Sequence, residues 1–178
     1  MSDKKKGGVL RELFSWVKTI IFAVLFAFLL NYLVIVNATV PTPSMENTIE
    51  TGDRIIAFRQ AYLFSTPRRF DIVVFPSPDD GELNVKRVIG LPGDILMMVA
   101  GKVYINDMPY PLRDDFVHGP IRGNFGPILV PENHVFVLGD YRSISRDSRH
   151  WRDTHFVSYD DILGRVIFRY FPNFRRLH

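Results

Sequence analysis

Residues 19–36 read TIIFAVLFAFLLNYLVIV, eighteen positions without a charge and with only Thr19, Asn31 and Tyr32 as polar interruptions. At a rise of 1.5 Å per residue such a run makes roughly 27 Å of helix, close to the hydrocarbon thickness of a bilayer. The run predicts a retained membrane anchor over 19–37. A cleaved secretory signal is the competing reading, because Val36-Asn37-Ala38 resembles small-residue cleavage spacing, but the run exceeds the usual apolar core of such a signal, about 7–15 residues. Trp16 and Lys18 suit the inner interface, and a basic segment over 1–18 belongs in the cytoplasm by the positive-inside rule. A single extracytoplasmic domain, 38–178, then remains on the far side of a cytoplasmic membrane.

Charge follows the same division. Five of the 22 basic residues (Lys4, Lys5, Lys6, Arg11 and Lys18) and two of the 19 acidic ones (Asp3 and Glu12) precede position 19, leaving 17 of each beyond it. A neutral domain lacking any nucleic-acid-binding motif offers no footprint for a phosphate backbone, so nucleic acid is not an expected partner. The lipid bilayer is. The absence of Cys excludes disulfide scaffolds, cysteine nucleophiles and thiolate metal sites.

The expected domain is mostly β. Short apolar, β-branched runs separated by Pro and Gly occupy Arg54–Phe58, Asp71–Phe75, Asn84–Ile89, Ile95–Val99, Lys102–Ile105, His134–Leu138 and Val166–Tyr170. Ala100-Gly101 reads as a hairpin turn and Asn106-Asp107 as a second turn. Arg113–Pro127, with three glycines, reads as a long loop.

Searching for chemistry removes most classes. The five His show no HExxH pair or dense ligand spacing, and neither a GxSxG elbow nor a phosphate-cradling loop is present. No metal and no cofactor are expected. Three segments stand out instead. Val40-Pro41-Thr42-Pro43-Ser44-Met45 follows the anchor, and its prolines stiffen a stretch carrying two hydroxyls; a rigid stalk is the plainer alternative. Lys86 lies in a strand-like run, where alternation separates it from Val85, Arg87 and Ile89. A lysine on a strand is usually solvated, but a desolvated one loses its proton more readily and becomes a usable base. Gly139–Arg149 packs acids, bases and hydroxyls behind an apolar strand, a composition suited to bracing a site.

In order and spacing, PTPSMENTI, GDRIIA (52–57), DIVVF (71–75), KRVIGLPGD (86–94) and GDYRSISRDSR (139–149), together with the anchor, resemble the type I signal peptidases. These are membrane-anchored serine proteases that remove signal peptides from exported proteins. The resemblance covers nearly the whole chain. It implies a signal-peptidase-like β fold, preproteins bearing signal peptides as partners, Ser44 as nucleophile and Lys86 as general base. It also implies an oxyanion hole from the Thr42 hydroxyl and the Ser44 backbone N–H, Ser145 orienting the Lys86 amine, and Asp147 with Arg149 bracing that wall. Substrate would enter as an added strand with small side chains in shallow pockets; Val40, Met45, Ile49 and Val85, close in sequence to the two catalytic positions, are the expected walls. Thr42 stands where the family often has Ser, Asn47 where Pro is usual, and Tyr141 where Asn is common. None of these removes a catalytic group. A noncatalytic anchored β-domain binding exported or envelope proteins remains the alternative from another class.

Overall fold

The computed structural model describes residues 3–120 and 122–177, with side chains from Arg11 onward; Met1, Ser2, Ile121, His178 and the side chains of Lys4, Lys5 and Lys6 lie outside the described residues. The chain divides into two compact units, Met1–Ile35 and Val36–His178.

The first unit is one helix, α1, over Asp3–Val34. Its Arg11–Val34 portion is long and apolar enough to cross a membrane, about 36 Å at 24 residues. Large apolar side chains such as Phe22 (71% exposed) and Phe28 (72%) project from it without protein cover, the surface expected of a helix bathed in lipid. The basic segment expected to precede the anchor is continuous with it as helix. At the other end the helix stops before 37: Ile35, Val36 and Asn37 belong to strand β1 (Ile35–Thr39). Val34-Ile35-Val36 is β-branched and therefore stiff in a helix, and Val36 is buried in the β domain's core.

The remaining strands are β2 (Arg54–Phe58), β3 (Ile72–Pro76), β4 (Leu83–Gly90), β5 (Ile95–Val99), β6 (Lys102–Ile105), β7 (Phe125–Leu129), β8 (His134–Leu138), β9 (Val157–Ser158), β10 (Gly164–Phe171) and β11 (Arg175–Arg176). The larger sheet runs β1-β2-β10-β3-β4-β8-β9, with β11 paired to β10, and a smaller one runs β6-β5-β7. The second unit is thus mostly β, as its short apolar runs predict.

Ala100 and Gly101 both take positive φ (49° and 79°), and the turn they make sets Val99 opposite Lys102. That is the backbone a two-residue hairpin needs to match strand twist. Four strands escape the sequence pattern: β1, β7, β9 and β11. β7 falls partly in the expected 113–127 loop because Gly126-Pro127 reads as a turn; pairing of Ile128 with Leu96 and Leu129 with Ile95 makes it a strand. β9 and β11 are two residues each, too short for any periodicity.

β4 lies at the centre of the domain. Val85 enters one buried cluster with Val40, Met45 and Ile49, Val88 a second with Val73 and Phe75, and Ile89 a third with Leu96 and Phe136. A strand covered on both faces carries its polar residues into the interior as well, and Lys86 and Arg87 are each only 2% exposed.

Candidate active site

Ser44 sits in a 3-10 turn, Pro43–Met45, entered from an extended Thr42 (φ −125°, ψ 150°). Proline suits this position, since its fixed φ is preorganised for the turn and its missing N–H would have no partner there. The turn closes when Glu46 N–H donates to Pro43 O (3.1 Å) and Ile49 N–H to Met45 O (2.8 Å). Asn47 takes φ +77°, a left-handed conformation that asparagine tolerates and proline cannot adopt, so Asn47 at this position fits the turn. Met45 and Ile49, both fully buried, fasten the segment to the core and leave Ser44 at its upper edge.

Lys86 arrives from β4, opposite Val73 of β3. Its Nζ lies 2.6 Å from Ser44 Oγ although 42 residues separate the two. Burial disfavours the ammonium and lowers the Lys86 pKa to about 8; the charges of Asp147 and Asp140 oppose that fall and the charge of Arg149 adds to it. Thr42 Oγ1 is 3.3 Å from Ser44 Oγ on the exposed side. A hydroxyl, a mostly desolvated amine and a second hydroxyl therefore meet at one point. With the amine neutral, the Ser44 O–H can donate to Nζ, the arrangement a nucleophile and its base require.

The 139–149 segment forms the wall behind them. Tyr141 N–H donates to Ser44 O (3.1 Å), tying this wall to the turn. Asp147 accepts from Gly139 N–H (3.0 Å) and from two donors of Arg149, Nε at 2.7 Å and Nη2 at 2.8 Å. Burial alone would raise the Asp147 pKa, but hydrogen bonds from His150 and Arg149, with the Arg149 charge and the Gly139 N–H, outweigh it and hold the carboxyl well below its ordinary range. Arg149 Nη2 also donates to Arg142 O (2.7 Å) and Ser145 O (3.4 Å), so the carboxylate–guanidinium pair reaches the backbone of Ser145 and of the turn before it. Ser145 itself is buried, yet its Oγ has no hydrogen-bond partner among the described residues. The expected bond from Ser145 to the Lys86 amine is therefore not formed. Ser145 instead fills the space over Gly139, where any Cβ would collide with Ser145 Oγ and with the Ser44 carbonyl.

A cleft of about 520 Å³ opens beside Ser44, with residues 37–42 on one side and Val74 and residues 82–85 on the other. Of the four expected wall residues, Val40 and Val85 line it. Met45 and Ile49 do not: they are packed beneath Val40 and Val85 in the same core cluster, because a side chain that anchors the turn points away from the cleft. Ala38 and Asn84 are lining residues that proximity in sequence did not suggest.

Sequence reasoning also missed an ion pair beneath the site. Arg87 donates through Nε (2.9 Å) and Nη2 (2.7 Å) to the carboxylate of Asp140, which also accepts from Thr48 Oγ1 (2.6 Å). The Phe116 ring stacks under the guanidinium at 4.1 Å. An arginine in the middle of an apolar run, next to Lys86, was a signal that it needed a partner, but nothing in the spacing pointed 53 residues on to Asp140.

The family described as signal peptidase, peptidase S26, matches residues 13–171. Among similar proteins, a signal peptidase I of Leptolyngbya laminosa is 36% identical over 168 residues, covering 90% of this chain and 80% of its own. One from Bacillus licheniformis is 33% identical over 180 residues, covering 97% and 96%. One from Bacillus caldolyticus is 39% identical over 155 residues, covering 80% and 83%. A crystal structure of a signal peptidase I from Enterococcus faecalis aligns with TM-score 0.47 and 31% identity over 57% of this chain and 97% of that one. A match spanning most of the chain, with relatives aligned over most of their own length, shows that the chain belongs to the signal peptidase family, serine endopeptidases that remove signal peptides from preproteins.

Proposed function

We propose that Ser44 and Lys86 carry out this hydrolysis as a dyad, through an acyl-enzyme. Serine has no useful anion near neutral pH, so its attack on an amide needs a base within hydrogen-bond reach and donors aimed at the developing oxyanion. The observation that carries the reading is the 2.6 Å separation of Lys86 Nζ and Ser44 Oγ at a lysine only 2% exposed. Neutral Lys86 takes the Ser44 proton as Oγ bonds to the scissile carbonyl carbon. The resulting ammonium returns that proton to the departing amine, and the neutral amine then deprotonates the water that releases the acyl group. Thr42 Oγ1 and the Ser44 N–H supply oxyanion donors; the Ser44 N–H opens the 3-10 turn, where the first backbone donors have no partner within the turn. Asp147 and Arg149 hold the wall, in which Ser145 packs over Gly139.

The substrate enters as a strand. β8 pairs with β4 from Arg87 onward, while Leu83–Val85 pair only with β3, so this stretch of β4 presents an open edge along the cleft. An extended preprotein segment bonding there places alternate side chains against Val40 and Val85, and the modest cleft suits small ones. The helix spans a membrane with its basic end in the cytoplasm and the β domain on the far side, where exported chains emerge.

The test is cleavage of a preprotein, or a peptide with small residues before the cut, by the purified full chain. Ser44→Ala and Lys86→Ala are each expected to lose turnover to about the same level as the double variant, because the two groups act as a unit. Lys86→Arg is expected to be equally inactive, since a guanidinium keeps its proton. Substantial turnover in any of the three rejects the dyad.

A further inference from the structure

Away from the catalytic cleft, a second cleft of about 320 Å³ opens where β3, β10 and β11 meet, and four of its ten lining residues are arginines: Arg68, Arg69, Arg165 and Arg176. Asp71 is the only acidic residue among the described lining residues, and Asp94 pairs with Arg69 from outside the lining, which leaves two uncompensated positive charges in a domain that is neutral beyond position 18. The arginines differ in how far they are engaged. Arg69 is paired with Asp94 (3.0 Å). Arg165 only grazes Asp71, Nη1 to Oδ1 at 3.5 Å, while the other carboxylate oxygen accepts from Tyr62 O–H (2.8 Å) and Arg68 N–H (3.0 Å). The guanidinium groups of Arg68 and Arg176 have no hydrogen-bond, ion-pair or aromatic partner among the described residues. The floor is apolar: Ile72 is 1% exposed, Val166 3% and Leu177 6%.

Guanidinium groups crowded around one cavity repel each other, and the group that relieves this repulsion is a multiply charged or multidentate oxyanion. Planar forks with several donors match phosphate oxygens in particular, and the cavity is of a size to hold a phosphate ester with a small substituent. We propose that this cleft is a phosphate-binding site, with Arg68, Arg165 and Arg176 as its ligands. The phosphate can belong to an anionic lipid headgroup or to a free anion. An anchored chain meets headgroups at high local concentration, and Leu63 and Phe64, 64% and 95% exposed, stand shortly before Arg68 in the same loop.

The full chain in non-ionic detergent is titrated with dihexanoyl phosphatidylglycerol, dihexanoyl phosphatidylcholine and inorganic phosphate, and binding is followed by microscale thermophoresis. Saturable binding of phosphatidylglycerol, of inorganic phosphate or of both is expected, weakened about tenfold or more in Arg68→Gln/Arg176→Gln. Both side chains are exposed and unpartnered, so the double variant should keep the wild-type Tm; the single variants, each expected to bind about threefold or more weakly, give the same reading with less perturbation. Phosphatidylglycerol bound more tightly than inorganic phosphate identifies the headgroup as ligand, and phosphate bound as tightly or more tightly identifies the free anion. The proposal is overturned if neither anion saturates, if phosphatidylcholine binds as well as phosphatidylglycerol, or if the folded variants bind both anions with wild-type affinity.

Discussion

The guanidinium of Arg87 grips the carboxylate of Asp140 through two hydrogen bonds, 2.9 and 2.7 Å, with both side chains almost wholly excluded from solvent. Arg87 adjoins Lys86 and Asp140 adjoins Gly139, so this pair fixes the strand that carries the amine against the segment that backs Ser44. Removing one partner strands a buried charge. Asp140→Ala is therefore expected to destabilise the domain by about 3–5 kcal/mol, read as a lower urea midpoint, and to reduce activity with it. A stability change under about 1 kcal/mol would contradict this role.

The depressed Lys86 pKa predicts the pH dependence of the reaction. Because the neutral amine is the base, kcat/KM on a short peptide should rise with a midpoint near pH 8 and level off above it. A rise centred near the ordinary lysine value of 10.5 would mean that the amine is not desolvated in the working enzyme.

The same shift has a consequence for stability, of opposite sign to that of a lysine whose ammonium gains a salt bridge on folding. Folding lowers the Lys86 pKa from 10.5 to about 8, so between these values the unfolded chain holds a proton that the folded one has released, and stability rises with pH across that window. Below pH 8 the cost of burying the ammonium is present in full. Lys86→Met, similar in volume and uncharged, should therefore be more stable than wild type at pH 6.5, with the difference shrinking toward pH 10. Urea titrations at the two pH values measure it, and a difference that does not change with pH would rule this out.

Thr42→Val keeps the branched shape and removes the hydroxyl 3.3 Å from Ser44 Oγ. If that hydroxyl faces the oxyanion, kcat falls about 10²–10³-fold with KM little changed. A fall in affinity at constant kcat would assign Thr42 to substrate binding instead.

Asp147 is the acid-side counterpart. Its folded pKa lies below 3.8, so it stabilises the fold above that value and the contribution drains away as the pH drops toward its folded pKa. Asp147→Asn should be less stable than wild type at pH 7, and the gap should narrow below pH 3.8. Parallel curves for the two proteins between pH 7 and pH 2 would exclude this contribution.

What the sequence determined by itself was local. An uncharged run of eighteen residues, 19–36, dictates a helix of membrane length, short apolar, β-branched runs between Pro and Gly dictate strands, and Ala100-Gly101 dictates a hairpin, because each depends on neighbours within a few positions. Ser44 and Lys86 were legible as well, one from a proline-stiffened segment and the other as a cation in an apolar run, with the family resemblance supplying their roles. Tertiary structure alone decided what depends on distant partners. It ended the helix at Val34 and gave Ile35–Thr39 to the sheet, paired Arg87 with Asp140 across 53 positions, turned Met45 and Ile49 into the core while Val40 and Val85 face the cleft, and left the Ser145 hydroxyl without the amine. Propensity and periodicity act over a few residues, whereas burial, which lowers the Lys86 pKa and makes the Arg87–Asp140 pair necessary, exists only once β3, β4 and β8 have closed around them.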